Sequence, residues 1–476
     1  MGIVAELEKL LSSVAPRIEP GERERSDVGV FVSSFLKQLD AELQERGIEG
    51  SAQIHGSVAK DTWLSGERDL DVFIVLKKGG ERSGLLKALE AAKRVAGDSW
   101  VEAYAEHPYI KALVGGFDID IVPCFELSRG EKLASATDRT PLHTEYVGQR
   151  LSSGLKREIR LLKKFMHGID CYGAEVRKGG FSGYLCELLV IGFGSFLEVL
   201  EALGQEQRPL ILDVENQYAG KQAECRKKFP RDPLIVIDPV DRARNVASPV
   251  RESVFWESVA ASRKFLSSPM QEFFFPLQTE APDENALRNA VEKDGAEVLL
   301  ISLFLKKSYV ADVLWGQLNR ALKAVTKLLQ SNDFNVLRSG AWSDEWFSHV
   351  LAFKLEQGVL SESKMRQGPP VSMKEMSERF VDGCLGSEKT VSGPWIAGDR
   401  WWVESLREHP DAAELVQSQL RSEGGAAIGI PRCIRGTLDK FFVSPPEDVV
   451  GIHVNKPEFR FFLTEFLDGK PRWLSA

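Results

Sequence analysis

The spacing of apolar residues changes along the chain, and the changes mark out its parts. Residues 1–47 carry helical spacing in two runs, with Pro16 and Pro20-Gly21 as breaks and Ser26-Asp27 as a cap for the second. From 50 to 125 the spacing becomes mostly strand-like. Ser51–Ile54, Asp69–Leu76, Trp100–Tyr104, Ile110–Val114 and Phe117–Val122 read as strands, Ser83–Val95 as a helix, and Pro123 as the stop of the last strand. From about 144 to 205 the pattern is helical, with Leu151–His167 amphipathic and basic and Ser182–Leu203 one apolar, buried helix. Leu210–Val214 and Leu234–Ile237 read as short strands and Arg251–Leu266 as a helix. A new unit opens near 270. Ala296–Phe304, Val313–Leu329, Phe334–Arg338 and Phe347–Leu355 give a β-α-β-β order that fits a ferredoxin-like half. Beyond 356, Gly, Pro, Ser and Trp blur the pattern. Helices are expected there at Met373–Phe380, Asp411–Ser422 and Pro457–Leu467.

A chain of 476 residues exceeds one hydrophobic core, so three or four domains are expected. With 43% hydrophobic and 27% charged residues it has the composition of a globular protein in water. The net charge of -8 argues against wholesale coating by nucleic acid, so any RNA contact must be local. The 6 cysteines are scattered without a C-x-x-C pair, which argues against structural zinc and for a reduced compartment. The N-terminus lacks the basic start and apolar core of a signal peptide, and no segment has eighteen apolar residues in a row. A cytoplasmic protein with no membrane partner is expected.

The chemistry concentrates in HGSVAKDTWLSGERDLDVFIVL. Asp69 and Asp71, at i and i+2 of a strand, point to one face. Solvated acids at a strand end are the bland alternative. It weakens because Leu70, Val72, Phe73, Ile74 and Val75 make the strand largely buried, where unpaired carboxylates are costly without a cation. A third carboxylate would come from Asp120 or Asp118 in GGFDIDIVPCF, and Asp120 is the choice. Such a set suits Mg²⁺, a hard ion that prefers carboxylate and phosphate oxygens. Two ions about 4 Å apart stabilise both oxygens of a phosphoryl transfer. Upstream, Gly56-Ser57 follows a strand and opens a helix. Its backbone N–H groups and the Ser57 hydroxyl suit phosphates, with Lys60 one turn on. His143 is a phosphate or ribose contact, or else structural. Lys163 and Lys164 lie on a solvated basic face, or one of them neutralises a triphosphate; Tyr172 can stack on a base. The run DPVDRARNVAS is a salt-bridged turn, or it presents a guanidinium to base edges.

HGSVAKDTW…DLDVFIVL resembles the signature of polymerase-β-like nucleotidyltransferases. DIDIVPCF, RLLKKFMHGIDCYGAEVRKGGFSGYLCELLV and DPVDRARNVA narrow the resemblance to the archaeal-type (class I) CCA-adding tRNA nucleotidyltransferases. The likeness is specific from about 26 to 250 and fainter beyond. It implies an α+β multidomain fold: a polymerase-β-like catalytic head over 1–145, a mostly helical nucleotide- and base-recognition domain over 146–270, and a ferredoxin-like α/β RNA-binding body and C-terminal tail over 271–476. It further implies addition of C, C and A to the 3′ end of tRNA from CTP and ATP, with release of pyrophosphate and no nucleic-acid template, and it allows a homodimer. By this resemblance Asp69, Asp71 and Asp120 hold two Mg²⁺, while Gly56, Ser57 and Lys60 take the triphosphate. Thr140, His143, Lys163 and Tyr172 contact nucleotide phosphates and sugar, and Arg244 reads the Watson–Crick edge. Asp69 stands where the family often has Glu, and Lys60 where Arg is common. The acidic balance calls for a basic stripe toward tRNA, expected from Lys156, Arg157, Arg160, Arg432, Arg435, Lys440 and Arg460. Rival readings are a poly(A) polymerase, an oligoadenylate synthetase, or a non-catalytic RNA-binding relative.

Overall fold

A computed structural model describes residues 2–78, 82–104, 108–127, 139–205, 209–277, 281–293, 297–305, 309–435, 441–444, 452–453 and 455–474. The chain forms two compact units, Met1–Gln278 with Pro471–Ala476, and Thr279–Lys470.

In the first unit, helices α1 (Gly2–Ile18) and α2 (Glu22–Glu45) precede β1 (Gly50–His55), α3 (Gly56–Lys60), β2 (Asp69–Leu76), α4 (Arg82–Ala96), β3 (Trp100–Tyr104), β4 (Pro108–Val114) and β5 (Phe117–Phe125). These five strands form one sheet in the order β1-β2-β5-β4-β3. Only β2 and β5 run parallel; the other pairs are antiparallel. Leu70, Val72, Ile74, Ile119 and Ile121 point to one face and pack with Phe35, Leu39, Leu85 and Leu89 of α2 and α4. Period-2 geometry then forces Asp69, Asp71 and Asp120 onto the opposite face.

A helical body follows: α5 (Arg139–Gly148), α6 (Ser153–Gly168), α7 (Gly183–Phe193), α8 (Phe196–Gly204), β6 (Leu210–Leu212), α9 (Gln222–Lys228), β7 (Leu234–Asp238), β8 (Asp241–Asn245) and α10 (Glu252–Ser267). Its core joins α5 to α8 and α10, and takes in Leu7, Leu11, Val14 and Ile18 of α1. Trp473 returns to this core and donates its Nε1–H to Glu257 at 2.6 Å.

The second unit contains α11 (Glu284–Lys293), β9 (Glu297–Phe304), α12 (Ala311–Ser331), β10 (Val336–Ser343), β11 (Ser348–Leu355), β12 (Ser363–Pro370), α13 (Lys374–Leu385), β13 (Thr390–Ala397), β14 (Arg400–Leu406), α14 (Ala412–Arg421), α15 (Arg432–Arg435), β15 (Phe441–Ser444) and α16 (Pro457–Asp468). The β-α-β-β order is present as β9-α12-β10-β11, in a sheet ordered β10-β11-β9-β15. Helices α12 and α14 cover one face of this sheet, α11 and α16 the other.

Several elements differ from the sequence expectation. Pro16 lies inside α1, whose last turn is held by the burial of Val14 and Ile18. Helix α2 starts at Glu22, with Glu22 and Glu24 in its first turn, so Ser26-Asp27 are interior rather than a cap. Pro123 does not end β5. Pairing with β4 stops at Ile121, so beyond it the missing N–H faces no ladder partner, while pairing with β2 continues to Phe125. The apolar run Ser182–Leu203 is two helices bent by 93° at Gly194-Ser195, where Gly194 has φ 107° and Ser195 caps α8. The three-stranded sheet β12-β14-β13 has no counterpart in the expected elements. Among the described residues, no single helix is long and apolar enough to cross a membrane.

Candidate active site

The parallel pairing of β2 and β5 sets Asp69 opposite Asp118 and Asp71 opposite Asp120. Neighbouring strands lie about 4.8 Å apart, so four carboxylates share one patch of sheet. Asp69 and Asp118 stand exposed at the strand starts; Asp71 and Asp120 are half-buried further in. The carboxyls of Asp69, Asp71 and Asp120 are all pushed above the usual range. Burial is the main cause for each, and repulsion from neighbouring acids adds to it. Lys111, register partner of Asp120 on β4, holds its Oδ2 at 3.2 Å and pulls partly the other way. Three crowded oxygen donors of raised proton affinity suit a hard divalent cation. Among the described residues, no three His, Cys, Asp or Glu side chains are yet gathered closely enough to hold a metal ion, so the acids would have to turn toward one another around the cation.

Strand β1 pairs antiparallel with β2 so that His55 faces Asp71, and the chain leaves β1 directly over that carboxylate. Gly56 makes the turn at φ 65°. A Cβ there would stand 1.7 Å from Asp71 Oδ2. Glycine is thus needed both for the left-handed backbone and for the close approach. Ser57 follows in α3, and its carbonyl accepts the Thr62 N–H at 2.9 Å. His55 is buried edge-on to Phe73, with neither ring nitrogen hydrogen-bonded. Burial, then the charge of Lys60, lowers its pKa to about 4.

Lys60 and Lys163 do not stand free at this turn. Glu187, 1% exposed in the apolar helix α7, binds Lys60 through Oε2; its Oε1 accepts from Thr62 Oγ1 at 2.6 Å and lies 3.4 Å from Lys163 Nζ. Lys163 also donates to the Thr62 carbonyl at 3.0 Å. Burial would raise the Glu187 carboxyl, but the two ammonium groups hold it below its ordinary value. Both lysines also pull the Asp71 carboxyl downward, against its burial. Tyr172 already has one ring face covered, by His167 at 3.9 Å between centroids. Its hydroxyl lies close to Gly183, where a Cβ would meet it at 2.9 Å.

A second buried carboxylate gathers two more expected contacts. The run DPVDRARNVAS forms the turn and second strand of a β7–β8 hairpin, and Asp238 at its entrance is 0% exposed. Its Oδ2 accepts from Arg244 Nη1 at 2.8 Å and His143 Nε2 at 3.0 Å. Against burial, which raises it, the bonds from His143 and Arg244 hold this carboxyl at about 2. His143 stacks on Tyr184 at 4.0 Å, and its pKa is lowered, mainly by burial. Thr140 sits one turn before Thr144 in α5 and accepts its hydroxyl proton through the carbonyl at 3.1 Å. Asn245 staples the hairpin by accepting from Val236 and Ala247 N–H at 2.8 and 2.9 Å.

The expected basic stripe loses members. Arg160 is 3% exposed and bound to Asp61 and to the Trp63 carbonyl, and Lys156 also reaches Asp61 at 3.2 Å. Arg160 is a structural ion, since Asp61 is ringed by it, Lys156 and Arg25. Arg157 and Arg432 are exposed, Arg435 and Arg460 partly buried, and Lys440 lies outside the described residues. Glu187 and Asp238 escaped the sequence reading. The available signal was a lone acid in an apolar run, or before a strand turn, which demands a partner once buried.

A nucleotidyltransferase domain model matches residues 36–143, a tRNA nucleotidyltransferase second-domain model 157–275, and a CCA-adding enzyme C-terminal domain model 295–434. The first match covers all of the five-stranded sheet, so the head has the polymerase-β-like nucleotidyltransferase fold. A CCA-adding enzyme from Methanothermobacter thermautotrophicus is 35% identical over 96% of this chain and 97% of its own length. Those from Halobacterium salinarum (32%, covering 97% and 98%) and Pyrobaculum neutrophilum (33%, covering 92% and 99%) are similar to a like degree. Similarity of this depth over the full length of both chains shows that the protein belongs to the CCA-adding enzymes, a family of tRNA nucleotidyltransferases.

Proposed function

We propose that this protein adds C, C and A in turn to the 3′ end of tRNA from CTP and ATP, releasing pyrophosphate and copying no template. The observation that carries the reading is the in-register pair Asp71–Asp120 on parallel strands, with Gly56 pressed against Asp71. Asp69, Asp71 and Asp120 would hold a divalent metal, and we take Mg²⁺, two ions, as the form that works. Bound there, the ions supply electrostatic stabilisation of the attacking and leaving oxygens.

This chain's own residues do the positioning. Asp120, paired with Lys111 at 3.2 Å, would be one of the residues that hold the cation. Ser57 and the turn at Gly56 receive the triphosphate. Lys60 and Lys163, with Glu187 between them, supply one net positive charge behind it. Thr140, His143 and Tyr172 line the sugar and phosphates, and Arg244 meets the base edge. Holding the tRNA 3′-OH and the nucleotide in line provides most of the rate. The 6 free cysteines fit a reduced cytoplasmic setting.

Incubation with tRNA lacking its 3′ end, with each nucleotide singly and in combination, tests the proposal. Extension that stops after CCA supports it; a long A tail, free oligomers or no metal-dependent extension refutes it.

A further inference from the structure

We infer that Asp238 is a specificity-positioning residue: one buried carboxylate oxygen anchors both Arg244 and His143 and so fixes where the base contact stands relative to the sugar contact. The inference rests on the reading of Arg244 as the base-edge contact.

The carboxylate is saturated. Its Oδ2 accepts from Arg244 Nη1 and His143 Nε2, at 2.8 and 3.0 Å. Its Oδ1 accepts from the Tyr184 hydroxyl at 3.3 Å and the Val240 N–H at 3.1 Å. Four donors fill the acceptor capacity of a carboxylate. With no exposed surface, Asp238 has nothing left to offer a substrate, so its effect must pass through the groups it holds. The Gln217 side chain binds the Asp238 carbonyl at 2.9 Å and steadies the same residue from behind.

Arg244 is the opposite case. Its side chain is 32% exposed, and Asp238 is its one hydrogen-bond partner among the described residues. An untethered guanidinium gives up rotamer freedom when it is ordered, and loosely held donors choose poorly between base edges. Tethered at Nη1, the planar fork keeps Nε and Nη2 in a set plane. His143 comes from α5 and Arg244 from β8; Arg139 and Asp241 also tie these two elements, at 2.8 Å, but Asp238 Oδ2 is the atom that touches both contacts themselves. That oxygen is a spacer between the two contacts. Loosening it should cost choice among nucleotides more than turnover of the right one.

The test uses the full chain and a tRNA ending in CC. Single-turnover kcat/KM is measured with ATP, CTP, GTP and UTP for wild type, Asp238→Asn, Asp238→Ala, Arg244→Ala and the double alanine variant. Asp238→Ala should lower the preference for ATP over GTP and UTP about tenfold or more. Asp238→Asn keeps one acceptor for two donors and should fall between Ala and wild type; it also serves if the alanine variant does not fold. In the Arg244→Ala background, Asp238→Ala should add no further loss of preference. Equal slowing of all four nucleotides by both Asp238 variants, with preferences intact, overturns the inference. An additive loss in the double variant overturns it too. If Arg244→Ala itself leaves the preferences unchanged, the base-contact reading fails, which differs from eroded preference in Arg244→Ala with unaltered Asp238 variants.

Discussion

Gly56→Ala is the sharpest perturbation of the acid face. The backbone at Gly56 has φ 65°, where a Cβ costs about 1–2 kcal/mol. The new methyl would stand 1.7 Å from Asp71 Oδ2 and 2.7 Å from its Cγ. To reach even a tight 3.0 Å contact, the oxygen must retreat by more than 1 Å (3.0 minus 1.7). A carboxylate is the mobile end of a side chain, so the total stability loss should stay near ~2–3 kcal/mol. The catalytic loss should be far larger, since a misplacement of about 1 Å at a reacting centre costs roughly 100-fold. Gly47→Ala is the matched control: φ is 64°, with nothing within 4 Å of the added Cβ. It carries the backbone strain without touching Asp71. Labelled nucleotide incorporation into tRNA lacking its 3′ end gives the rate, and urea unfolding gives the stability. Gly56→Ala should be folded and nearly inactive, while Gly47→Ala should lose only the backbone share, about 1–2 kcal/mol, and stay active. A Gly56→Ala protein within threefold of wild-type turnover would refute the placement of Asp71 at the reaction centre.

Other consequences follow from individual groups. Asp71→Ala should abolish nucleotide addition and leave tRNA retention on filters largely intact; turnover above a few per cent of wild type would exclude a ligand role. Glu187→Ala strands the Lys60 and Lys163 ammonium groups in the interior and should cost about 3–5 kcal/mol in urea unfolding. A wild-type midpoint would show that those charges find other partners. His349 in the second unit is fully buried, with Nδ1 on Ser343 at 2.7 Å and no partner for Nε2. Burial lowers its pKa from 6.5 to about 4, so the unfolded chain takes the proton first. Its contribution is complete above pH 6.5 and falls away toward pH 4, by about 3 kcal/mol at most. His349→Gln should flatten the stability profile across that window, and an unchanged slope would contradict this. Binding of tRNA, carried by phosphate contacts on an acidic chain, should weaken steeply with added salt; a flat response would argue for a different kind of interface.

Strand alternation was readable because it is local. Leu70, Val72 and Ile74 against Asp69 and Asp71 told which residues share a face, whatever lies beside them. Asp120 could be chosen over Asp118 only by preference, and its adjacency to Asp71 needed the β2–β5 register. The hairpin strand Asp241–Asn245 escaped because it is polar along its length and held by Asn245 bonds rather than by an apolar face. Strands β12 to β14 escaped for a related reason: register shifts at Gln367/Pro370 and Ser392/Trp395 interrupt the alternation that marks a strand. The break at Gly194-Ser195 was signalled by a glycine and a capping serine, but the apolar content on either side masked it.

The order of residues alone decided the faces of the catalytic strands, the glycine at the turn and the family of the chain. Those features depend on backbone geometry and on neighbours close in the sequence. Only the folded chain decided which acid each cation meets: Lys60 with Glu187, Arg160 with Asp61, Arg244 with Asp238. A buried charge takes whichever opposite charge the packing brings within reach. That choice depends on how α6, α7 and the β7–β8 hairpin come together, which the spacing along any one segment does not encode.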